Sequence, residues 1–224
     1  MKSSDFDRNF DAGGKDLVDE LDVSTARRVN RRRKLEHNNP EISQHKYYNA
    51  CLEGLEIDLA EENAVHVFQG CDIKNCYIRI RSGSVSAQHV LSGNRWRDCV
   101  FHPARELSMS TVEADFYNCK FRGKWSARIK GSVEGCDFTD AHLINFAFYG
   151  IQTPGSNKFS SGDTVIIENA GANRQEIKRL LADKSNLWLH IRPEVGLFVF
   201  SLSRQKDPAA LKEALQGLSC VRFE

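Results

Sequence analysis

The sequence lacks the features that would place a protein in a membrane or outside the cell. It contains no run of about 18 apolar residues, the length that a membrane-spanning helix requires. Residues 1–6 have none of the apolar stretch of a signal peptide. Lysine and arginine number 31 against 30 aspartates and glutamates, so the overall charge indicates no class of partner. We therefore expect a cytoplasmic protein without a membrane partner.

Common catalytic and metal-binding motifs are missing as well. No two cysteines have CxxC spacing, and no two histidines have HxxxH or HExxH spacing. The seven cysteines are odd in number and have no secretory context, so most are expected to be reduced thiols. We accordingly expect neither enzyme activity nor a cofactor or resident metal.

What the sequence does contain is a motif of two pentads that recurs four times. The copies occupy residues 71–78, 94–101, 114–121 and 136–143, at steps of 23, 20 and 22 residues. Steps of that size are typical of successive coils in a stacked array. Residues 84–87 and 107–110, which lie between copies, alternate in polarity and are predicted to be half-buried strands.

Two rows of side chains are expected to point into the coil. A large apolar residue recurs after five positions, which suits a coil with four short sides, stacked about 4.8 Å from the next coil. The bulky row consists of Ile73, Ile78, Trp96, Phe101, Phe116, Phe121, Phe138 and Leu143. The residue two positions earlier has less space, and that row consists of Cys71, Cys76, Asn94, Cys99, Ala114, Cys119, Cys136 and Ala141. Free cysteine suits such a position because it behaves as a small apolar side chain.

This order of a small residue, then often Asp or Asn, then a large apolar residue resembles the pentapeptide-repeat family over roughly residues 66–150. The resemblance implies a right-handed, four-sided parallel β-helix. The irregular segments between copies also fit a rounder right-handed β-helix. The best-known members of the family bind other proteins, and some mimic DNA through an acidic surface. Residues 66–150 contain 11 Lys and Arg against 8 Asp and Glu, so we do not expect DNA mimicry.

The two ends of the chain differ from this region, and the fold class is predicted as mainly β with a small C-terminal α/β module. Residues 1–48 are predicted to be a charged, flexible arm. Residues 51–168 are predicted to be the β-helix, with a lead-in strand or cap at 51–65. Residues 172–224 are predicted to form an α-β-β-α-β module that offers a surface for self-association. Its strands are expected at 187–191, 195–200 and 220–223, and its helices after Asn173 and Asp207.

One aligned set of side chains is a row of thiols. Cys76, Cys99 and Cys119 should stack on successive coils, where three thiols could bind a soft metal ion. A row of small core residues accounts for the same pattern, because reduced cysteine is among the most buried residue types. We favour the packing interpretation.

A second aligned set is acidic. Asp72, Asp115 and Asp137 would occupy equivalent places on separate coils, as carboxylates do in glycan-cleaving β-helices. Asp and Asn also favour the corners of such coils, since their side chains bond to nearby backbone. The other corner is expected to hold Asn75, Asp98, Asn118 and Asp140.

The clearest functional signal is a basic run at residues 27–34. Its cations are Arg27, Arg28, Arg31, Arg32, Arg33 and Lys34. Arginine binds phosphates and carboxylates through bidentate contacts, so the run predicts salt-sensitive binding of nucleic acid. Alternatively, it is a solvated tail that folds back on the acids of residues 5–22. Residues 6–13 and 21–28 also resemble the leader of some bacterial antitoxins, which implies a partner-binding leader.

Three classes of function fit these features. The first is a scaffold protein, whose rigid β-helix face and charged arm bind a protein partner. The second is a nucleic-acid-binding regulator that acts through the basic run. The third, and least favoured, is a glycan-active enzyme built on a β-helix.

Overall fold

Parallel strands dominate the part of the chain that the structure describes. The computed structural model describes residues 33–35, 43–59, 64–150, 154–183 and 185–224. The strands are β1 (Arg33–Leu35), β2 (Ser43–Tyr48), β3 (Cys51–Glu53), β4 (Leu55–Leu59), β5 (Ala64–Gln69), β6 (Asp72–Lys74), β7 (Tyr77–Ile80), β8 (Arg95–Arg97), β9 (Val100–Pro103), β10 (Leu107–Ser108), β11 (Val112–Glu113), β12 (Asp115–Tyr117), β13 (Lys120–Lys130), β14 (Val133–Glu134), β15 (Asp137–Tyr149), β16 (Thr164–Glu168), β17 (Val195–Ser201) and β18 (Val221–Phe223). The α-helices are α1 (Ser84–Leu91), α2 (Arg174–Leu181) and α3 (Pro208–Leu215), and the 3-10 helices are η1 (Pro154–Ser156), η2 (Leu187–His190) and η3 (Leu202–Arg204). None of the helices described is long and apolar enough to cross a membrane.

The strands stack into a β-solenoid of about five turns. One side, which we call the long face, consists of β1, β4, β7, β9, β13 and β15 in parallel order. A second side, the short face, consists of β3, β6, β8, β12 and β14. On a third side, β2 pairs with β5, and helix α1 replaces the strand of the next turn. The mainly β fold predicted from the repeats is thus confirmed.

Aromatic stacking fills the axis of the solenoid. Every residue predicted for the two inward rows is buried. Along the long face, the ring centroids of Phe101 and Phe121 are 5.1 Å apart and those of Phe121 and Phe138 are 4.6 Å apart. Phe159 continues the stack at 5.4 Å from Phe138. A side chain on this axis therefore contacts its equivalents on the turns above and below.

The fourth copy of the motif is offset by one pentad from the prediction. Lys120 pairs with Asp137, and Phe116 pairs with Val133. Phe138 therefore continues the row of Ile78, Phe101 and Phe121 instead of the row of Ile73, Trp96 and Phe116, which ends at Val133. The last coil is only 17 residues long from Cys119 to Cys136, because β14 follows β13 directly through Gly131 with no inserted helix or loop.

Two predicted strands are helical instead. Residues 84–87 belong to α1, whose buried side chains are Ala87, Val90 and Leu91. Residues 187–191 contain η2, and the buried residues of that segment, Leu187 and Ile191, are four positions apart. In both segments the burial follows the period of a helix, so only one edge of the turn faces the core.

The C-terminal module continues the sheet of the long face. β15 pairs in antiparallel orientation with β17, which pairs with β16, and β18 closes the edge. Helices α2 and α3 bury Ile177, Leu181, Leu211 and Leu215 in the same core as Ala147 of β15. The predicted helices after Asn173 and Asp207 and the predicted strands at 195–200 and 220–223 are confirmed.

The solenoid also extends further towards the N-terminus than the sequence indicates. Strand β2 lies within the segment predicted as a flexible arm, yet it pairs along its whole length with β5. Strand β1 pairs with residues 55–57 of β4. Residues 51–59, part of the segment 51–65 predicted as a lead-in strand or cap, therefore lie in a regular turn of the solenoid.

Candidate binding surface

Three outward side chains lie together in the middle of the long face, and we call them the central patch: Tyr77, Val100 and His102. Tyr77 on β7 is the register partner of Val100 on β9. These residues point outward because their strand neighbours Ile78 and Phe101 are in the core. A 2.8 Å hydrogen bond joins the Tyr77 hydroxyl to Nδ1 of His102, and the two rings meet edge to face at 6.4 Å.

Paired charges border the central patch on the side nearer the N-terminus. The Nη2 atom of Arg79 lies 4.0 Å from Oε1 of Glu56. Arg81 donates twice to the Asp58 carboxylate, from Nε at 2.9 Å and from Nη2 at 2.8 Å. The hydrogen bonds and charge of Asp58 raise the pKa of Arg81. Exposed pairs of this kind add little stability, but they neutralise this border.

A second set of paired charges borders the patch on the other side. Lys120 Nζ lies 2.8 Å from Asp140 and 3.6 Å from Asp137. Arg122 Nε lies 3.8 Å from Asp140. The two borders together hold four cations and four carboxylates, so the patch sits between neutralised ends of the face.

The carboxylates considered for glycan cleavage do not converge. Asp72 and Asp115 share a register position on the short face, with Arg95 between them, whereas Asp137 lies on the long face. Asp72 forms salt bridges within its own face. The Oδ1 atom of Asp115 accepts a hydrogen bond from the amide of Ser132 at 2.9 Å. The predicted alignment with Asp137 is therefore wrong, because the last coil is shorter than the others.

The corner between the short and long faces is formed by left-handed residues. Asn75, Asp98 and Asn118 each have φ of 52°, and Gly135 follows them at 65°. Asn and Asp tolerate this conformation better than other residues with a Cβ atom. Asp140, predicted for this corner, instead lies on the outer side of the long face, where it pairs with Arg122.

The predicted row of thiols is present, and Cys136 extends it. The Cys119 carbonyl accepts a hydrogen bond from the amide of Asp137, and the Cys119 Sγ donates to the carbonyls of Trp96 at 3.5 Å and Tyr117 at 3.4 Å. Cys76 and Cys99 donate in the same way to the carbonyls two residues before them. Burial raises the pKa of Cys119. Across the described residues, no group of His, Cys, Asp or Glu has the arrangement of a metal site.

Most of the basic run lies outside the part of the chain that the structure describes. Arg27, Arg28, Arg31 and Arg32 lie outside the described residues. The backbone of Arg33 and Lys34 forms part of β1, and Lys34 is the register partner of Glu56. The end of the run is therefore fixed to the first turn of the solenoid, and the sequence-based prediction of nucleic-acid binding stays a prediction.

Comparison with known proteins provides no relative for this chain. No family model matches it, and neither the curated proteins nor the solved structures include a significant match. The geometry of its own surface therefore carries the functional interpretation.

Sequence reasoning did not identify the central patch. Tyr77 and His102 are 25 residues apart, and only the register of β7 and β9 brings them together. The sequence indicated only that Tyr77 and His102 point outward, because each directly follows an inward residue. Their contact depends on the 23-residue length of the coil between them.

Proposed function

We propose that the protein is a non-enzymatic scaffold that binds another protein through the central patch of the long face. The observation that carries this proposal is the placement of Tyr77, Val100 and His102 between two borders of mutually paired charges. Protein interfaces commonly have an apolar or aromatic centre with a polar rim, and tyrosine is enriched among the residues that dominate binding energy.

The rigidity of the long face supports the proposal. The core beneath the patch contains Ile78 and Phe101, and both are fully buried. Tyr77 is already held by its hydrogen bond to His102. A partner would therefore bind a preorganised surface, which lowers the entropic cost of association. The six strands of the long face, about 4.8 Å apart, span roughly 24 Å across the face. A surface of that width is large enough for a standard interface, which buries about 800 Å² on each partner.

The resemblance of the repeats to those of pentapeptide-repeat proteins supports the same function. Inward residues recur after five positions on adjacent sides of the coil, as at Ile73 and Ile78 or Phe116 and Phe121. The best-known members of that family bind other proteins. The described cysteines are free thiols, which suits a cytoplasmic location.

Site-specific cross-linking in native cells tests the proposal. A photoreactive amino acid at position 102 should capture one protein repeatedly, whereas the same group at Glu134 on the short face should not. Tyr77→Ala should weaken binding of the captured partner at least tenfold, and Tyr117→Ala, a half-buried tyrosine of the short face, should leave it unchanged. Equal capture from positions 102 and 134 would remove the central patch from the proposal.

Nucleic-acid binding through the basic run is the second candidate function. It is favoured by six cations within eight residues, the last two of which are fixed in strand β1. Changing Arg27, Arg28, Arg31 and Arg32 together to alanine should then weaken binding to all nucleic-acid sequences alike and reduce its salt dependence. Unchanged binding in this variant would exclude the role.

A further inference from the structure

A group of basic side chains lies where the solenoid meets the C-terminal module, and no residue that the structure describes pairs its arginines with a carboxylate. On β13, Ala127 and Ile129 point into the solenoid core, so Arg128 between them points to the other side of the sheet. Its register partner on β15 is Ala147, which belongs to the core of the module. Arg128 therefore lies on the same side of the sheet as the module and at its margin.

The 3-10 helix η2 brings two more basic residues to this margin. It lies against β15, and burial of Leu187 and Ile191 in the module fixes its orientation. His190 is half-buried at the end of η2, and Arg192 is exposed two positions later, after the buried Ile191. Burial and the nearby charges of Arg128 and Arg192 lower the pKa of His190.

Several basic residues of the solenoid are paired with carboxylates, unlike the two arginines of this group. Arg81, Lys120 and Lys130 each form a salt bridge with a carboxylate on a neighbouring strand. Within the described part of the chain, neither Arg128 nor Arg192 forms a salt bridge or a side-chain hydrogen bond. Like charges that converge without a counter-ion are unfavourable, and an anion bound between them would relieve that repulsion.

The surrounding elements add cations and unpaired polar groups. On α2, Arg174 and Lys178 lie over the ring of Trp188, at 5.7 Å and 4.7 Å from its centroid. The buried indole Nε1 of Trp188 has no hydrogen-bond partner in the described structure. The side-chain oxygen of Asn145 on β15, two residues before Ala147, is likewise buried without a partner. The two orientations of an asparagine amide have the same shape, so Asn145 can present its NH2 group instead.

We propose that Arg128, His190 and Arg192 form a binding site for a phosphate group, supplied by a small phosphate ester or by a nucleic-acid backbone. Two guanidinium groups offer bidentate donors to phosphate oxygens, and the imidazole adds a third donor when it is protonated. The site lies beside the module, on different strands and loops from the central patch, and it does not depend on the function proposed for that patch.

Calorimetric titration of the full-length protein at low ionic strength tests the site. The probes are pyrophosphate, adenosine monophosphate and a single-stranded thymidine oligonucleotide. At least one should bind saturably, and the variant carrying Arg128→Gln with Arg192→Gln should bind it at least tenfold more weakly. A matched control, Arg95→Gln with Arg204→Gln, removes two exposed arginines elsewhere and should change affinity less than twofold.

The pattern across probes identifies the source of the phosphate. Binding of pyrophosphate or the mononucleotide without the oligonucleotide indicates a small phosphate ester, and binding of the oligonucleotide alone indicates nucleic acid. Absence of saturable binding with all three probes, or equal weakening by the control variant, overturns the proposal. Circular dichroism of both variants confirms that they fold, and Arg128→Lys should restore part of the affinity.

His190 provides an independent readout. Because its pKa lies below the usual value in the free protein, it is mostly neutral at pH 7 and must gain a proton to donate to the anion. Helix α2, which packs against η2, also carries Arg174, Glu176, Lys178 and Arg179. Affinity should therefore rise as the pH falls from 8 to 6 in the native protein and change less in His190→Gln. An equal pH response in both proteins would exclude His190 from the site.

Discussion

The amide of Asp137 donates a 2.8 Å hydrogen bond to the carbonyl of Cys119. This bond places Cys136 directly next to Cys119 in the row that begins with Cys76. Lys120 and Val100 donate in the same way to Cys99 and Cys76, at 2.8 Å and 2.9 Å. Four thiols thus lie side by side along one corner of the solenoid, each shielded from solvent by the turns above and below it.

Thiol reactivity should follow this burial. Iodoacetamide on the folded protein should modify the exposed Cys51 first and the half-buried Cys220 more slowly, because burial raises the pKa of Cys220 and only the thiolate reacts. The protected cysteines should be Cys71, Cys76, Cys99, Cys119 and Cys136. Peptide mapping by mass spectrometry measures each site. Modification of Cys119 as fast as Cys51 would contradict the stacked row.

Phe138 should be among the most important residues for stability. Its ring stacks on Phe121 at an interplanar angle of 15° and on Phe159 at 9°, and it is fully buried. Phe138→Ala should lower the free energy of unfolding by about 3–5 kcal/mol, because it opens a cavity that rigid turns cannot fill. Urea denaturation measures the change. Val85→Ala, at an exposed position of α1, is the control and should cost less than about 0.5 kcal/mol.

The inward rows could be predicted because size and spacing repeat together. In the four copies of the motif, seven of the eight residues that stand two positions before a large one are cysteine or alanine, and Asn94 is the exception. The register of the last coil could not be predicted, since the two pentads of each copy have the same pattern. Cys136 and Phe138 fit either column, and only the length of the final coil decides between them.

Local helices and the candidate site were harder to predict for different reasons. Short segments such as 84–87 and 187–191 fit a strand or one helical turn equally well, and the surrounding core selects the helix. The central patch and the basic margin at Arg128 join residues that are distant in sequence. Their contacts arise from strand register and from the position of η2, which no local pattern encodes.

The corner glycine Gly135 should not tolerate a side chain. Its φ of 65° disfavours L-residues by about 1–2 kcal/mol, and a Cβ atom would also collide with Oδ1 of Asn118 on the previous turn. Gly135→Ala should therefore lower the melting temperature clearly. The control is Gly83→Ala, where φ is −65° and a Cβ atom meets no neighbour within 4 Å. Similar melting temperatures for the two variants would argue against the left-handed corner.

Asn94 is the one residue of the small inward row that is neither cysteine nor alanine, and we expect the stability of the fold to depend on it. Its Oδ1 accepts from the amide of Cys71 at 3.0 Å, and its Nδ2 donates to the carbonyls of Phe68 and Val90, each at 3.0 Å. Asn94→Ala leaves these groups without partners beside α1 and should cost at least about 2 kcal/mol of unfolding free energy. Asn186→Ala, which removes a side chain that forms no capping hydrogen bond, should be nearly neutral in the same denaturation assay.

Thr139 should help to keep the pKa of Asp137 on the long face low. Burial alone would raise the pKa of Asp137, but the hydroxyl and amide of Thr139 donate to its Oδ1 at 2.6 Å and 2.9 Å, and with Lys120 they bring the pKa below its ordinary value of 3.8. A carboxylate with a lowered pKa stabilises the folded state at neutral pH, and this contribution disappears as the pH falls through the folded-state pKa.

Thr139→Val removes the hydroxyl donor and should raise the pKa of Asp137, as measured by carboxyl chemical shifts in an NMR titration. Its stability deficit relative to the native protein should be present at pH 7 and shrink below pH 3.8, where the carboxylate becomes protonated in both proteins. Thr111→Val, at a half-buried threonine remote from Asp137, should leave that titration unchanged. A deficit in Thr139→Val that stays constant down to pH 2 would instead assign Thr139 a role in packing, since the loss of a charge-dependent hydrogen bond must depend on pH.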